Sequence, residues 1–344
     1  MNVRCQLFFM MLFSLSLTDT SYSSPYHFRI ANYNVENLFD LETRGTEYSE
    51  YIPGSSQGWG SEKAAVKVKN IAKVIKDINA DIVTLEEIES GRALSMLACR
   101  LKSQGVAYPY SAMAETDKQA VGCAILSKFK IENKIDIDVS HDGRHIVKVA
   151  LDIYGRKLII YINHWKSKRG PESERLCYAY ALKQDINQLP SGCDYIVVGD
   201  FNSNYDEYKT FTSNQALNDT QGITGINHVL GTVYNGVMVD KKKLLAADCN
   251  RCLYNLWLEL PLNKRWSYIF HNEKETLDNI LVPASLYDHK GISYVDNSFN
   301  HFAPHYLFYM HSIYRWQMDY RNYGRMTGRG YSDHLPVYAD FLKE

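Results

Sequence analysis

The sequence predicts one α/β domain, and two observations lead to this prediction. Apolar segments typical of β-strands interleave with helical 3/4 spacings from one end of the chain to the other. No repeat, low-complexity tract or proline- and glycine-rich linker divides the chain. With 344 residues, of which 22% are charged and 45% hydrophobic, the composition is that of a globular protein. The net charge of −1 excludes a global positive field, so any anionic ligand must be held by a local patch.

Eight apolar segments have the pattern of strands, and the turn at Tyr154, Gly155 and Arg156 is expected to join two of them as a hairpin. These segments are 27–39, 80–88, 121–127, 145–154, 157–165, 195–201, 276–283 and 334–342.

Three segments have the apolar periodicity of helices. In residues 61–79 the apolar positions follow a 3/4 spacing, and in residues 91–105 Leu94, Leu97 and Leu101 share one face, with Gly105 as a stop signal. Residues 172–189 form the third predicted helix. The predicted strands and helices therefore alternate along the chain.

The N-terminal segment differs from the rest of the chain. Arg4 precedes an apolar run from about Leu7 to Leu17, and small polar residues follow it. This three-part pattern is typical of a secretory signal cleaved near Ser23, and the run is shorter than the ~20 residues that cross a membrane. We expect residues 1–23 to be a signal peptide and the protein to be secreted or periplasmic, with an uncleaved anchor as the alternative.

Export permits disulfides, and six cysteines remain after Cys5. Cys99 and Cys123 lie in apolar contexts and are predicted to be core thiols. Cys249 and Cys252 form a single C-x-x-C without a second pair or nearby histidines. A local disulfide or two unpaired thiols is therefore expected there rather than a zinc site.

Polar side chains interrupt the most apolar strands where these strands end or begin. The strand that starts at Tyr195 runs into Asp200 and Asn202, which period-two alternation places on one side. Charged side chains are rarely buried unless they are paired or bound to metal. Carboxylates and amides suit Mg²⁺ or Ca²⁺, and histidines suit proton transfer, so the set indicates metal-assisted hydrolysis of a phosphate ester. The other members are Asn34, Glu36, Glu86, Glu87, Glu89, Asn163, His164, Asp278, Asp333 and His334.

These motifs, in their order, resemble those of the endonuclease/exonuclease/phosphatase superfamily, which includes pancreatic deoxyribonuclease and the apurinic-site endonucleases. The matching segments are NYNVEN, DIVTLEEIE, VGCAILSK, NHWKSKRG, VVGDFNS, LDNILV and SDHLPV. The resemblance extends over residues 29–341, and the paired GDFN and SDH motifs are its most specific part. It implies a four-layer α/β/β/α sandwich over residues 27–344, in which two packed mixed β-sheets are flanked by helices. The active site would lie at one edge, where the loops between strands meet.

The resemblance also implies a metal site. Asn34, Glu87 and Asp333 match the family's metal environment, and Glu36 is a secondary candidate. Glu86 stands where relatives often have Gln, so no metal role is assigned to it. Mg²⁺ is the expected cofactor, with Mn²⁺ or Ca²⁺ as alternatives.

The catalytic residues implied by the resemblance are two histidines with their carboxylates. Asp200 would orient or deprotonate the attacking water, and Asn202 would hold phosphate or water. His164 and His334 would be the catalytic histidines, and Asp278 would orient His334. A carboxylate bonded to an imidazole fixes its tautomer and favours the cation, which stabilises a pentavalent transition state.

The substrate contacts are expected to be basic. Lys166, Lys168 and Arg169 directly follow His164, and both a solvated loop and a phosphate-binding loop would explain them. Arg144 is a further candidate for phosphate contact.

An aromatic and basic insertion is predicted at about residues 287–331. Its segment 301–331 carries six Tyr, four Arg and three His against one acid, Asp319. Two interpretations remain open: bases stack along it beside a phosphate backbone, or its aromatic residues fill a satellite core.

The sequence thus predicts an exported, divalent-metal-dependent phosphodiesterase, a nuclease that hydrolyses DNA, with RNA left open as a substrate. It does not determine the oligomeric state, and a monomer is favoured. One alternative keeps the chemistry with a phospholipid or a phosphate monoester, although no obvious exposed apolar hairpin for membrane insertion is visible in the sequence. Another is a binding module that has lost catalysis, against which all the expected catalytic positions are occupied.

Overall fold

The computed structural model describes residues 26–139, 144–212, 214–246 and 251–344. The predicted signal peptide at residues 1–23 and Cys249 lie outside the described residues. Within these ranges no helix has both the length and the apolar character that a membrane span requires.

The strands of the described residues are numbered in chain order. They are β1 (Tyr26–Leu38), β2 (Ile82–Ile88), β3 (Tyr110–Met113), β4 (Gly122–Ser127), β5 (Lys130–Ile137), β6 (Ile146–Ile153), β7 (Arg156–His164), β8 (Tyr195–Asp200), β9 (Val233–Tyr234), β10 (Val237–Met238), β11 (Tyr254–Asn255), β12 (Tyr268–Phe270), β13 (Glu273–Glu275), β14 (Asp278–Val282), β15 (Ile292–Tyr294), β16 (Asn300–His301), β17 (Phe308–Tyr309), β18 (Ser312–Ile313), β19 (Met318–Asp319), β20 (Arg325–Met326) and β21 (Val337–Lys343).

The longer strands form two mixed sheets. The first has the order β15-β21-β1-β2-β4-β3, and β16 also pairs with β21. The second has the order β11-β14-β8-β7-β6-β5. The pair β1–β2 and the pair β7–β8 are parallel, whereas the other pairs are antiparallel. Four separate hairpins, β9–β10, β12–β13, β17–β18 and β19–β20, lie outside the two sheets in the described part of the chain.

The α-helices have clear end signals. A left-handed Asn79 ends the first helix, and the Ser90 hydroxyl caps the second by accepting from the Ala93 N–H. The α-helices are α1 (Ser61–Ile78), α2 (Gly91–Ser103), α3 (Glu172–Asn187), α4 (Glu207–Thr210) and α5 (Lys241–Leu244). Short 3₁₀ turns lie at Ser49–Tyr51, Leu256–Glu259, Leu262–Lys264, Ala284–Tyr287, His305–Leu307 and Tyr320–Asn322, and one π turn lies at Gly225–Val229.

Strand β7 shows how the layers arise from the sequence. Leu158, Ile160 and Ile162 belong to the core between the two sheets, whereas Ile159 and Tyr161 belong to the core under α3. Successive side chains of a strand point to opposite faces, so a strand that is apolar at every position must be covered on both faces. Helices α1 and α2 cover the outer face of the first sheet in the same way. The predicted four-layer α/β/β/α sandwich is confirmed.

The predicted elements correspond closely to the observed ones. The eight predicted strands are β1, β2, β4, β6, β7, β8, β14 and β21, and the three predicted helices are α1, α2 and α3. The hairpin between β6 and β7 turns at Tyr154 and Gly155, whose φ angles are 51° and 82°. Five strands of the two sheets were not predicted, because they are short or polar: β3, β5, β11, β15 and β16.

Of the two cysteines predicted to be core thiols, only one is buried. Cys123 is buried as expected, but Cys99 is exposed. The reason is helical geometry: Leu97 and Leu101 define the buried face of α2, and Cys99 lies two residues from each. Cys252 is in a disulfide.

The observed insertion is shorter than predicted. The predicted start near residue 287 includes β15 and β16, which both pair with β21 as part of the first sheet. The segment that leaves the sheet is residues 302–331, which we call the insertion. Its aromatic residues support both open interpretations, since Trp316 is buried beside Phe39, Tyr51 and Trp59, whereas Tyr320 is 80% exposed.

Candidate active site

The polar strand ends meet at one edge of the sandwich. Pairing between β7, β8 and β14 places His164 opposite Asp200 and Asp200 opposite Asp278, so three candidate catalytic residues lie side by side on adjacent strands. Asn34 on β1 faces them from the other sheet, and its amide group donates to Asp200 over 3.0 Å. Asn34 and Asp200, which are 166 positions apart in the sequence, are thus brought into contact by the packing of the two sheets.

A bulge in β2 separates the two adjacent glutamates. Glu87 has a φ of 66°, and the register with β4 shifts between Leu85 and Ile88. Glu86 points into the sandwich, where it accepts from the Asn32 amide over 3.2 Å and where burial raises its pKa well above the ordinary value. Glu87 instead lines the cleft. Only Glu87 is therefore placed to bind a ligand.

The local backbone explains the glycine and the asparagine of the GDFN motif. A Cβ at Gly199, whose φ is 142°, would lie 2.0 Å from the Asn163 carbonyl oxygen. Asn202 has a φ of 46°, and its N–H donates to Asp200 Oδ1 over 2.9 Å. The Asn202 amide also donates to the Trp165 carbonyl over 3.0 Å. The motif is thus a tight turn that fixes the Asp200 carboxylate.

The predicted catalytic and metal-binding side chains converge. His164 Nε2 lies 3.7 Å from Glu87 Oε1 and 3.7 Å from Asp200 Oδ2. His334 Nε2 lies 3.9 Å from Asp200 Oδ2 and 4.0 Å from Asp333 Oδ1. The five side chains therefore surround one small volume at the floor of the cleft.

His334 is held as a cation. Its Nδ1 lies 2.8 Å from Asp278 Oδ2, which also accepts from the Ser267 hydroxyl over 2.5 Å. Burial alone would lower the pKa of His334, but the carboxylates of Asp278, Asp200 and Asp333 together raise it well above the ordinary value. Nε2 is then left as a charged donor that faces the cleft.

Asp200 is suited to accept a proton near neutral pH. Burial raises its pKa to about 7, although the His334 cation and the hydrogen bonds from Asn202 and Asn34 act in the opposite direction. A proton acceptor with a pKa close to the working pH is effective in general base catalysis.

His164 is neutral in this environment. Burial lowers its pKa well below the ordinary value, and the positive charges of Arg144 and His334 act in the same direction. Arg144 Nη1 lies 2.9 Å from His164 Nε2, so the guanidinium donates to the imidazole. Arg144, expected to contact phosphate, thus positions His164 and brings a cation into the cleft.

Two basic residues that were not predicted from the sequence join the insertion to this site. Arg315 donates to Glu36 Oε1 from Nε at 2.8 Å and from Nη2 at 2.5 Å, and its Nη2 lies 3.2 Å from Asp333 Oδ2. Lys67, fully buried on α1, donates to the Tyr331 carbonyl over 2.8 Å. Burial lowers the pKa of Lys67 to about 8 and raises the pKa of Glu36 to about 7. The signal in the sequence was a lysine on the apolar face of α1.

The predicted metal ligands supply oxygen donors that fit Mg²⁺. Glu87 and Asp333 line the cleft. The Asn34 amide nitrogen donates to Glu87 Oε1 over 3.2 Å, and the Asn34 carbonyl oxygen, which accepts from the Glu36 N–H over 3.0 Å, keeps a second lone pair for a ligand. Among the described residues, no group of three or more His, Cys, Asp or Glu side chains could hold a metal ion by itself. Mg²⁺ normally keeps several waters and uses one or two carboxylates together with substrate phosphate, so this set fits such a site.

Of the three basic residues after His164 that were expected to contact phosphate, only Arg169 is both free of an ion pair among the described residues and placed in the cleft lining. Lys168 is paired with Glu207 at 3.0 Å and with Glu275 at 2.8 Å, so its charge is not free for a phosphate. Arg169 is exposed and lines the cleft, whereas Lys166 is exposed and is not among the cleft-lining residues.

The cleft above the site has a volume of about 930 Å³ and a mixed lining. Carboxylates outnumber basic side chains among the described lining residues. The eight acids are Glu36, Glu50, Glu87, Asp200, Glu207, Glu273, Glu275 and Asp333, and the five Lys or Arg residues are Arg144, Lys168, Arg169, Lys274 and Arg315.

The fold and the site define a hydrolase that acts on phosphate esters. A family model described as "Endonuclease/Exonuclease/phosphatase family" matches residues 29–243, which is more than half of the chain. The protein belongs to this family, whose enzymes generally use divalent metal ions.

Solved structures show the same fold. TDP2 from D. rerio, complexed with single strand DNA product, has a TM-score of 0.54 and 16% identity over 92% of this chain and 98% of that chain. Truncated TDP2 from Caenorhabditis elegans gives a TM-score of 0.53 with 14% identity over 92% of this chain and 98% of that one. An endonuclease/exonuclease/phosphatase family protein from Bacteroides thetaiotaomicron has a TM-score of 0.53 and 14% identity over 94% of this chain and 100% of that chain. A search of curated proteins found no match.

Proposed function

We propose that the protein is an exported, Mg²⁺-dependent phosphodiesterase that hydrolyses DNA, and RNA as a second substrate. The observation that carries this proposal is the convergence of His164, Asp200, His334, Glu87 and Asp333 at one cleft floor. The nucleic-acid substrate is supported by the similar structure of D. rerio TDP2, which is complexed with single strand DNA product. Export rests on the N-terminal signal pattern of the sequence.

The proposed reaction is a direct attack of water on phosphorus. Asp200 accepts a proton from the water, because its carboxylate is buried, fixed by Asn202 and has a pKa of about 7. The water oxygen forms a bond to phosphorus, the ester bond opposite to it breaks, and the alkoxide that leaves takes up a proton from solvent, to which Asp200 later releases the proton it accepted. No covalent enzyme intermediate is needed.

The charge that develops on the phosphoryl oxygens is met by fixed donors. His334 offers a charged N–H that Asp278 holds in place, and Arg144 contributes a second cation next to His164. When Mg²⁺ is bound by Glu87, Asn34 and Asp333, it supplies further neutralisation of this charge. Hydrogen bonds hold both donors in place before substrate binds, so little reorganisation is required.

The test is hydrolysis of plasmid and oligonucleotide DNA by the purified protein with Mg²⁺, and with excess chelator as control. We expect cleavage with Mg²⁺, loss of cleavage on chelation, and a strong loss in His334→Ala. His305→Ala is the matched control, since His305 is an exposed histidine of the insertion that does not line the cleft. Absence of cleavage with every divalent ion tested would refute the proposal.

A phospholipid phosphodiesterase is the second candidate, and one observation favours it. The hairpin β17–β18 exposes Tyr309 by 52% and Met310 by 78%, an apolar tip that was not evident in the sequence. Exposed aromatic and apolar tips also suit a membrane interface. Release of phosphocholine from sphingomyelin liposomes, measured beside DNA cleavage, decides between the two substrates.

A further inference from the structure

We propose that Phe270 and Tyr320 form a stacking subsite for an unpaired base at the mouth of the catalytic cleft. The preferred substrate is then single-stranded nucleic acid or a frayed end rather than intact duplex. This inference rests on the proposed nuclease function and specifies its substrate class.

The two aromatic residues come from different hairpins. Phe270 ends β12, and the tight turn at His271 and Asn272, with φ angles of 48° and 69°, leads into β13. Tyr320 begins the 3₁₀ turn between β19 and β20 of the insertion. Both side chains line the same cleft that contains His334 and Asp200. The cleft that contains the catalytic residues is therefore lined by two aromatic rings from separate hairpins.

Both rings are largely open to solvent. Phe270 is 55% exposed and Tyr320 is 80% exposed, although the protein buries other aromatic residues of the same region. Trp316, four residues before Tyr320, is only 2% exposed and packs in a core cluster. An aromatic ring that is exposed at the rim of a concave site offers a flat apolar face to a planar ligand. Nucleobases stack on such rings regardless of sequence.

The charge of the cleft argues for stacking over phosphate contacts. The five Lys and Arg side chains of the lining are interspersed with eight carboxyl groups, and the His334 cation lies at the floor, so the lining is not the continuous positive surface that follows a duplex backbone. Lys168 is also neutralised by Glu207 and Glu275, and Arg315 is paired with Glu36. Few cations are left for phosphates beyond the scissile one. Stacking of a base does not depend on those cations, but it requires a base that is free of its partner strand.

The test compares three labelled DNA substrates of the same length and sequence: a single strand, the duplex, and a single strand with abasic sites on both sides of the scissile phosphate. The variants are Phe270→Leu and Tyr320→Leu, which keep apolar bulk and remove the ring, and Tyr320→Phe, which keeps the ring. Tyr323→Leu is the control, because Tyr323 lies on the same hairpin, is 86% exposed and is not among the residues that line the cleft.

We expect wild type to prefer the single strand over the duplex. Phe270→Leu and Tyr320→Leu should each lower kcat/KM on the single strand by about 10-fold, mainly through KM, since one stacked base contributes binding of this order. Tyr320→Phe and Tyr323→Leu should behave like wild type. On the abasic strand, wild type and all variants should have equal kcat/KM.

Three outcomes would overturn the inference. Tyr320→Leu could match Tyr323→Leu on the single strand, the duplex could be the better substrate, or the abasic strand could be cleaved as well as the normal one. Loss of sphingomyelin hydrolysis in Phe270→Leu and Tyr320→Leu, without an effect on DNA, would assign the rings to a membrane surface instead. Failure of wild type to cleave any DNA would refute the proposed function itself, so the two failures are distinguishable.

Discussion

Replacement of Asp278 by Asn should convert His334 from a cation into a neutral residue. Asp278 Oδ2 lies 2.8 Å from His334 Nδ1, and both residues are buried. Among the interactions that raise the pKa of His334, the charge of Asp278 is the strongest, and burial alone acts in the opposite direction. Without that charge, burial is opposed only by the weaker contributions of Asp200 and Asp333, so we expect the pKa of His334 to fall toward neutral pH.

The expected kinetic loss follows from the loss of one charged donor. A positioned acid or charge donor contributes about 10²–10⁴-fold to the rate, so kcat of Asp278→Asn at pH 7.5 should fall by about that factor. The sign of the pH dependence is also fixed. Wild type keeps a protonated His334 up to its raised pKa, whereas the variant loses the cation as pH rises through a lowered pKa. The activity of the variant should therefore recover partly toward acidic pH.

The assay is initial-rate cleavage of a fluorescent single-stranded oligonucleotide between pH 5 and 9, with Asp288→Asn as control. Asp288 is a carboxylate that caps a surface turn through the Lys290 N–H. Thermal melting of each variant shows whether the fold is retained. A kcat for Asp278→Asn within threefold of wild type, with an unshifted pH profile, would refute the assignment of His334 as a cation held by Asp278.

Three further predictions concern the backbone, the electrostatics and the metal. Gly199→Ala should lower the free energy of unfolding, measured by chemical denaturation, by about 3 kcal/mol or more. The new Cβ would lie 2.0 Å from the Asn163 carbonyl oxygen, at a backbone φ of 142°. A change below 1 kcal/mol contradicts this. Asp200→Asn should abolish activity but raise the free energy of unfolding at pH 8 with chelator present. The pKa of Asp200 is about 7 in the folded state against an ordinary value of 3.8, so the ionised carboxylate costs stability above pH 4, up to about 4 kcal/mol at ~1.4 kcal/mol per pKa unit. Equal or lower stability of the variant contradicts this. Removal of divalent ions should abolish cleavage, and re-added Mg²⁺ should restore it. The far-UV circular dichroism should stay unchanged, since the site lies on preformed strands. Cleavage that persists in excess chelator contradicts the predicted cofactor.

Most of the fold was predictable because its apolar strands are unusually continuous. Residues 158–165 and 195–201 are buried on both faces, so most positions are apolar and the strand signal is strong. Strand β5 was missed because none of its residues is buried and five of its eight residues are polar. The shorter extent of the insertion could not be predicted either, because β15 and β16 are recognisable only through their pairing with β21.

The candidate site was predictable where a side chain interrupts an apolar strand, as in Asp200 and Asp278. It was not predictable where a charge is satisfied by a distant partner. Lys168 belongs to a basic run in the sequence, but Glu207 and Glu275 approach it only in the folded chain. Arg315 could not be chosen among the four arginines of the insertion, because its partners Glu36 and Asp333 lie in other segments.

The most direct test of the central claim is a double-mutant cycle on His164 and His334. The structure places both imidazoles within 4 Å of the same Asp200 carboxylate, so both act on one transition state. We predict that kcat/KM on single-stranded DNA falls by at least about 10²-fold in each single Ala variant, and that the double variant loses much less than the product of the two factors. Full multiplicative loss, or a single variant that remains as active as His305→Ala, would contradict the claim that these residues form one catalytic centre.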